Sequence, residues 1–269
     1  MLAEVYRGIW VVAYRDLLRF RADRARLFSS MAMPVLFLFI FGAGFNNIIG
    51  PLTPGVGYIQ FMYPGIVAMT VLNNSLFSGL SIVWDREFGF LKELLVAPLS
   101  RTGIILGKAT GSAIIALFQG ALMLMLAPLV GVSLSVPLVL ELMPTLVVLS
   151  LGISGVGVLV AARMRSQQGF QVVMQLLVMP MMFTGGVMFP VNRAPTWLSV
   201  ISKVNPVTYG ADAIRHLFLD RNVAVAGATH SLGVTVLGHT MSIMQDLGVV
   251  ALLGAVFMTL AISSFNRQE

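Results

Sequence analysis

The sequence predicts an all-α integral membrane protein. It has six transmembrane helices, an N-terminal interfacial helix, a helix on the cytoplasmic surface and an outer re-entrant helical hairpin before the last span. Three observations predict this. Of the 269 residues, 57% are hydrophobic and only 10% charged, whereas soluble domains carry about 25% charged residues; mean hydropathy is +0.90. Six apolar stretches are each about as long as the roughly 20 residues a helix needs to cross the hydrocarbon. The Lys and Arg residues other than Lys108 fall between those stretches, as positively charged loops retained on the cytoplasmic side would.

Backbone groups inside lipid must bond within their own segment, and no alternating polar pattern points to a barrel, so the stretches are read as helices. The net charge of +6 forms no basic block or motif, so it is topological and implies no nucleic-acid partner. The absence of cysteine excludes disulfides, thiolate metal sites and a cysteine nucleophile.

The first 28 residues hold Arg7, Arg15, Arg19, Arg21, Arg24 and Arg26 among Trp10, Tyr14, Leu17, Leu18 and Phe20. They are too charged to span and read as an amphipathic helix lying in the membrane surface. The charged region is too long for a signal peptide, and no small-residue cleavage signature follows it. The six spans are placed at about Ser29 to Ile49, Ile59 to Val83, Thr102 to Val130, Pro137 to Ala162, Phe170 to Phe189 and Asp246 to Phe265.

Arg86, Lys92, Arg101, Arg163, Arg165 and Arg267 share the face of the N-terminal arginines, while the connections Asn46 to Gly57 and Gly131 to Val136 carry no Lys or Arg. Both termini are therefore expected in the cytoplasm. Between the fifth and sixth spans, Pro190 to Gln245 is irregular. The amphipathic piece from Trp197 to Leu219 reads as short re-entrant helices, and 222–244 as an insertion too polar to be a seventh span, with His230, Ser231 and His239. Asp246 reads as a helix-start residue facing the outer solution.

The longest cytoplasmic connection, Trp84 to Arg101, reads WDREFGFLKELLVAPLSR. Asp85 and Glu87 lie early and Lys92 late, which suits a helix. Phe88, Leu91, Leu94 and Leu95 make one apolar face, and Pro98 ends it. Such a face either rests on lipid headgroups or enters a groove on a cytoplasmic partner.

These residues resemble the RExGTLExLLxxPxSR-like signature of the ABC-2 type permeases, membrane subunits of ATP-driven exporters. The chain departs from it at Phe90 and Lys92. Asn205, Pro206, Val207, Thr208 and Tyr209, followed by Ala213, Ile214 and Arg215, resemble the Asn-Pro element before that family's last span. Thr184 to Pro190, TGGVMFP, resembles the end of its fifth span.

The resemblance covers nearly the whole chain outside Asn222 to Met244. It implies a 29–265 transmembrane domain with a coupling helix over 84–98 and an outer re-entrant segment over 190–220. It further implies a second permease copy, cytoplasmic ABC ATPase subunits that bind ATP and Mg, and a place in the cytoplasmic (inner) membrane. The coupling residues it points to are Trp84, Asp85, Arg86, Glu87, Phe88, Gly89, Leu91, Glu93, Leu94, Leu95, Pro98 and Arg101. Asn205, Pro206 and Tyr209 mark the outer motif, and faces of the first, second and fifth spans are the expected pathway walls.

The chain itself shows no P-loop. The nearest string, Gly103 to Thr110, is one residue short between its glycines and has Ala109 after Lys108. Lys108 reads instead as a lysine snorkelling to the interface. No cofactor is expected on this chain, and no metal-ligand spacing stands out. Gly152-Ile153-Ser154-Gly155 admits a rhomboid-like intramembrane serine protease. No histidine lies within a span to serve Ser154 as base, and small-residue helix packing explains the string as well.

Asn73, Asn74, Gln171 and Gln175 are polar groups within spans, read as interhelical bonding partners or as pathway lining. Glu141, in the outer part of the fourth span, is read as a headgroup-level acid. The apolar span walls favour a hydrophobic or amphipathic cargo such as a drug, an antibiotic or a lipid, with drug efflux and antibiotic resistance as the consequence. Polysaccharide or lipo-oligosaccharide export is the alternative.

Overall fold

The computed structural model describes residues 2–44, 57–89, 100–131, 134–222, 233–236 and 239–268. It is a helical bundle in which, among the described residues, four helices are long and apolar enough to cross a membrane: Tyr58–Glu87, Thr102–Val130, Val136–Arg163 and Ile243–Phe265. These coincide with four of the six expected spans. Of the other two, the first is helical from Arg24 but its described apolar part is only Met31–Gly42. The fifth stops at Thr184, because Gly185 and Gly186, the latter at φ 64°, turn the chain where a helix to Phe189 was expected.

Helix α1 runs Leu2–Ala22 and α2 Arg24–Gly44. The expected single element over the first 28 residues therefore divides at Asp23. The second membrane crossing consists of α3, Tyr58–Leu76, a 3-10 turn over Phe77–Gly79, and α4, Leu80–Glu87. Then follow α5, Arg101–Leu126, α6, Val136–Arg163, and α7, Gln167–Thr184. The segment after α7 holds α8, Thr196–Val204, and α9, Pro206–Asn222, the expected pair of short helices. A two-stranded antiparallel pair, β1 Thr235–Val236 and β2 His239–Thr240, precedes α10, Ile243–Gln268.

Serines placed one residue before the helices set their starts, since a hydroxyl satisfies an otherwise orphaned N–H of the first turn. Ser100 accepts from Gly103 N at 3.0 Å, Ser135 from Leu138 N at 3.3 Å and Ser166 from Gly169 N at 3.2 Å. Ser242 and Gln245 cap each other reciprocally at the head of α10, with Gln245 Oε1 accepting from Ser242 N at 2.9 Å.

The core is centred on α3, where Tyr58, Phe61, Met62, Tyr63, Ile66, Val67, Val71 and Leu72 are buried. Van der Waals packing rather than water expulsion holds helices together in lipid, so close approach matters. Gly152 on α6 faces Gly254 on α10 so closely that a Cβ on Gly254 would lie 2.3 Å from the Gly152 Cα. Gly103, Gly107 and Gly111, one turn apart on α5, receive α1: a Cβ on Gly107 would come within 2.8 Å of the Val12 Cβ. α1 thus buries Val12, Ala13 and Phe20 and leaves Tyr6, Trp10 and Tyr14 exposed.

Candidate functional site

Trp84 to Glu87 form the last turn of α4, the continuation of the second crossing, rather than the start of a separate surface helix. Phe88 and Gly89 end that helix, with Gly89 at φ 81°, where a residue lacking Cβ is favoured. Leu91, Glu93, Leu94, Leu95 and Pro98 lie outside the described residues, and Arg101 opens α5. What the structure adds is the local work of the three charged residues.

Asp85 is 2% exposed. Its carboxylate meets Arg15 Nη2 at 2.7 Å, Arg19 Nη1 at 3.6 Å and Lys108 Nζ at 3.8 Å, joining α1, α4 and α5. Lys108 also donates to Asp16 Oδ1 at 3.0 Å. Lys108 is 1% exposed, so the expected snorkelling lysine is a buried ion-pair member. Burying such charges is tolerable only because each has opposite partners in contact.

Arg86 Nη1 donates to the carbonyls of Ala161, Ala162 and Met164, at 3.2, 3.1 and 2.6 Å, satisfying the orphaned acceptors that end α6. Glu87 Oε2 accepts from Gln167 N at 2.9 Å, at the first residue of α7. Three consecutive side chains therefore fasten α4 to α1, α5, α6 and α7.

Above this knot lies a cavity of about 1210 Å³. Its walls come from α2 with Met33, Pro34 and Phe37, from α3 with Met69, Asn73 and Asn74, and from α7 with Gln171, Gln175 and Met179. Trp84, Arg19 and Lys108 stand at the end nearest α1. All four expected polar candidates line this one space. Asn73 donates to Met69 O at 3.3 Å and Asn74 to Ser112 O at 3.4 Å, while Gln171 and Gln175 are exposed.

At the other end, the Asn-Pro element closes the hairpin. Asn205 Nδ2 donates to Met181 O at 2.7 Å and Thr184 Oγ1 at 2.9 Å, and its Oδ1 accepts from Val207 N at 3.0 Å. Pro206 opens α9, where its missing N–H loses nothing. Tyr209 donates to Lys203 O at 2.6 Å; burial and the nearby negative charge of Asp246 push its phenol up.

Behind it, Arg215 donates to Gly186 O at 2.6 Å and stacks over the Phe61 ring at 4.1 Å. Burial pushes this guanidinium down, and Asp212 beside it opposes that. Asp246, expected to face the outer solution, is 0% exposed beside this group. The family of the ABC-2 type transporter matches residues 7–219, which takes in α1, the charged knot, the cavity walls and most of α9.

The chain belongs to the ABC-2 type transporter family. Among its relatives, the ycf38 transport permease of Cyanophora paradoxa is 32% identical over 217 residues, 78% of this chain and 73% of that protein. An Escherichia coli K12 protein named as a multidrug ABC transporter permease, YbhR, is 29% identical over 171 residues, 62% of this chain and 45% of its own. Nodulation protein J of Rhizobium leguminosarum bv. viciae is 26% identical over 206 residues, 76% of this chain and 79% of its own.

As an ABC-2 type permease it is a membrane transport protein of a family that works with ATPase subunits and is not itself catalytic. Among the described residues, nothing supports the protease reading. Ser154 Oγ donates to Leu151 O at 2.9 Å within its own helix, and Gly152 and Gly155 are packed against α10. Glu141 of the permease is exposed on α6.

Gly103 and Gly107, the glycines of the near P-loop string, are occupied by α1 packing. Sequence reading missed Arg15, Arg19 and Lys108 as partners of Asp85, and Asp16 as the second partner of Lys108. The signal was present in an acid set among arginines at Asp16 and a lysine inside an apolar run, but only the fold pairs them.

Proposed function

We propose that this permease is the membrane subunit of an ATP-driven exporter that moves a hydrophobic or amphipathic compound outward across the cytoplasmic membrane. Two copies, each with six spans and cytoplasmic termini, pair above two ATPase chains that carry ATP and Mg. In this reading α2 and α7 are the first and fifth spans. Residues 84–98 couple the ATPase to the bundle through the Asp85, Arg86 and Glu87 contacts.

The observation that carries the reading is the cavity. Its α2 and α7 walls are rich in Met, Phe and Val, soft surfaces that repack around varied apolar shapes, and a few amides supply orientation. Met33, Val172, Leu176 and Met179 are exposed on those same helices, which supports closure of the space by a second copy. Movement of α4 would reach the cavity directly because Trp84 and Ser81 line it and because the neighbouring helix ends are tied to α4.

The row Asn73, Asn74, Gln119, Gln171 and Gln175 also favours a second reading, in which a hydroxyl-rich headgroup, as in a lipo-oligosaccharide, is bound. Purification in mild detergent, identification of the co-purifying chains and an ATP hydrolysis assay test the transporter reading. A stoichiometric P-loop ATPase is expected, and a chain that purifies alone without turnover overturns it. Accumulation of amphipathic dyes in cells lacking the permease separates the two cargoes: unchanged dye with an altered surface glycan selects the second.

A further inference from the structure

Two side chains of α9 and one of α10 meet where the outer hairpin touches the last helix. Asp212 and His216 lie one turn apart on α9, and Asp246 lies in the first turn of α10. One oxygen from each aspartate and one ring nitrogen of His216 all lie within 4.8 Å of one another. Asp212 and Asp246 are both 0% exposed.

The two carboxylates are not equivalent. Asp212 is held from two sides, with Oδ2 accepting from Val234 N at 2.7 Å and Oδ1 facing Arg215 Nη1 at 3.5 Å. Among the described residues, neither oxygen of Asp246 has a hydrogen-bond donor and His216 Nε2 has no hydrogen-bond partner, lying 3.5 Å from Asp212 Oδ2. Arg215 does not fill the gap, because its other nitrogens serve Gly186 O at 2.6 Å and Phe61 O at 3.5 Å.

Two carboxylates against one guanidinium leave an excess negative charge in a buried place, which a fold tolerates only with a counter-charge. Two carboxylate oxygens and an imidazole nitrogen suit a first-row divalent ion, zinc foremost. Magnesium or calcium would call for a larger oxygen shell. Asp212, oriented by a backbone N–H and an arginine, has the supporting contacts a metal ligand needs. A side-chain movement of about 1 Å closes the three atoms to zinc–ligand distances, and no hydrogen bond holds Asp246 back.

We propose that Asp212, His216 and Asp246 form a binding site for a divalent transition-metal cation of the zinc class, which clamps α9 to the head of α10. Neighbouring contacts carry the clamp further. Arg215 reaches the turn after α7 through Gly186 and reaches α3 through Phe61, and Asp212 reaches the segment before β1 through Val234.

The test uses the full chain without a polyhistidine tag, purified in mild detergent, stripped with a chelator and re-equilibrated with ZnCl2. Elemental analysis after gel filtration should find about one zinc per chain, and the unfolding midpoint should rise with zinc and fall on chelation. Asp246→Asn and His216→Gln, which keep side-chain size, should each weaken zinc binding on the order of 100-fold.

Wild-type chain that retains no stoichiometric zinc and gains no stability from it overturns the proposal and leaves a proton as the neutralising charge. Zinc bound by Asp246→Asn as tightly as by the wild type overturns it equally. The metal measurement on the wild-type chain does not depend on either variant folding, and it reads the same whatever cargo the permease moves.

Discussion

At the scale of the residue, Asp85 is where the most depends on one side chain. It holds half-buried Arg15, exposed Arg19 and buried Lys108 together. Asp85→Ala removes the carboxylate of Arg15 and leaves Lys108 with Asp16 alone, and should lower the stability of the detergent-purified permease by about 1.5 to 3 kcal/mol, read as a lowered unfolding midpoint. Ser154→Ala removes one bond to a carbonyl of its own helix and should cost less than about 1 kcal/mol, with transport unchanged. Loss of activity with normal folding in that variant would revive the protease.

The difference between these two residues was only half legible in the chain. The small residues around Ser154 already pointed to packing. The partners of Asp85 are 70, 66 and 23 residues away, and nothing in the local pattern ties them to it. Asp246 misled for the same reason: an acid at a helix start next to a polar stretch has the pattern of an exposed cap, and its burial comes from α9, which the sequence places far upstream.

At the scale of the element, helix starts and crossings account for the fold. Ser100, Ser135, Ser166 and Asn205 are of the residue types that cap helices, and each performs the capping its type allows. Helix ends are less legible. The fifth apolar stretch continues to Phe189 by hydropathy, but Gly185 and Gly186 release the chain at Thr184 so that Asn205 can bond Met181 O and Thr184.

Crossings are invisible to hydropathy altogether, since glycine is neutral on such scales and only the partner reveals its purpose. Gly254→Ala should force α6 and α10 apart, because the new methyl meets Gly152 backbone, a part that cannot rotate away. A loss of about 1 to 3 kcal/mol is expected, seen as a lower unfolding midpoint or a reduced yield of folded permease. Gly248, whose Cβ would meet nothing within 4 Å, should accept alanine without effect and serves as the control.

At the scale of the whole molecule, the cavity adjoins the α4 knot, because Lys108 of the knot and Trp84 of α4 both line it, and in the proposed function the two act as one mechanical unit. Gln175→Trp should fill part of the cavity and reduce export, while leaving ATPase association intact; co-purification and efflux measured on the same preparation separate the two. Glu87→Lys should leave insertion normal and lower export relative to ATP turnover, since it replaces the acceptor at the head of α7 with a cation. Normal efflux in that variant would remove α4 from the coupling route.

Arg86 and Glu87 carry a further implication. They are adjacent in sequence yet stand at opposite helix poles, a cation at the carbonyl end of α6 and an anion at the amide end of α7, each the favoured sign for its macrodipole. A chain with the two exchanged has the same composition, net charge, hydropathy and loop charge balance, so every bulk criterion, including the membrane topology it dictates, would leave it unchanged. Both contacts would nevertheless become repulsive at once. The information that seats α6 against α7 is therefore carried by the order of two letters.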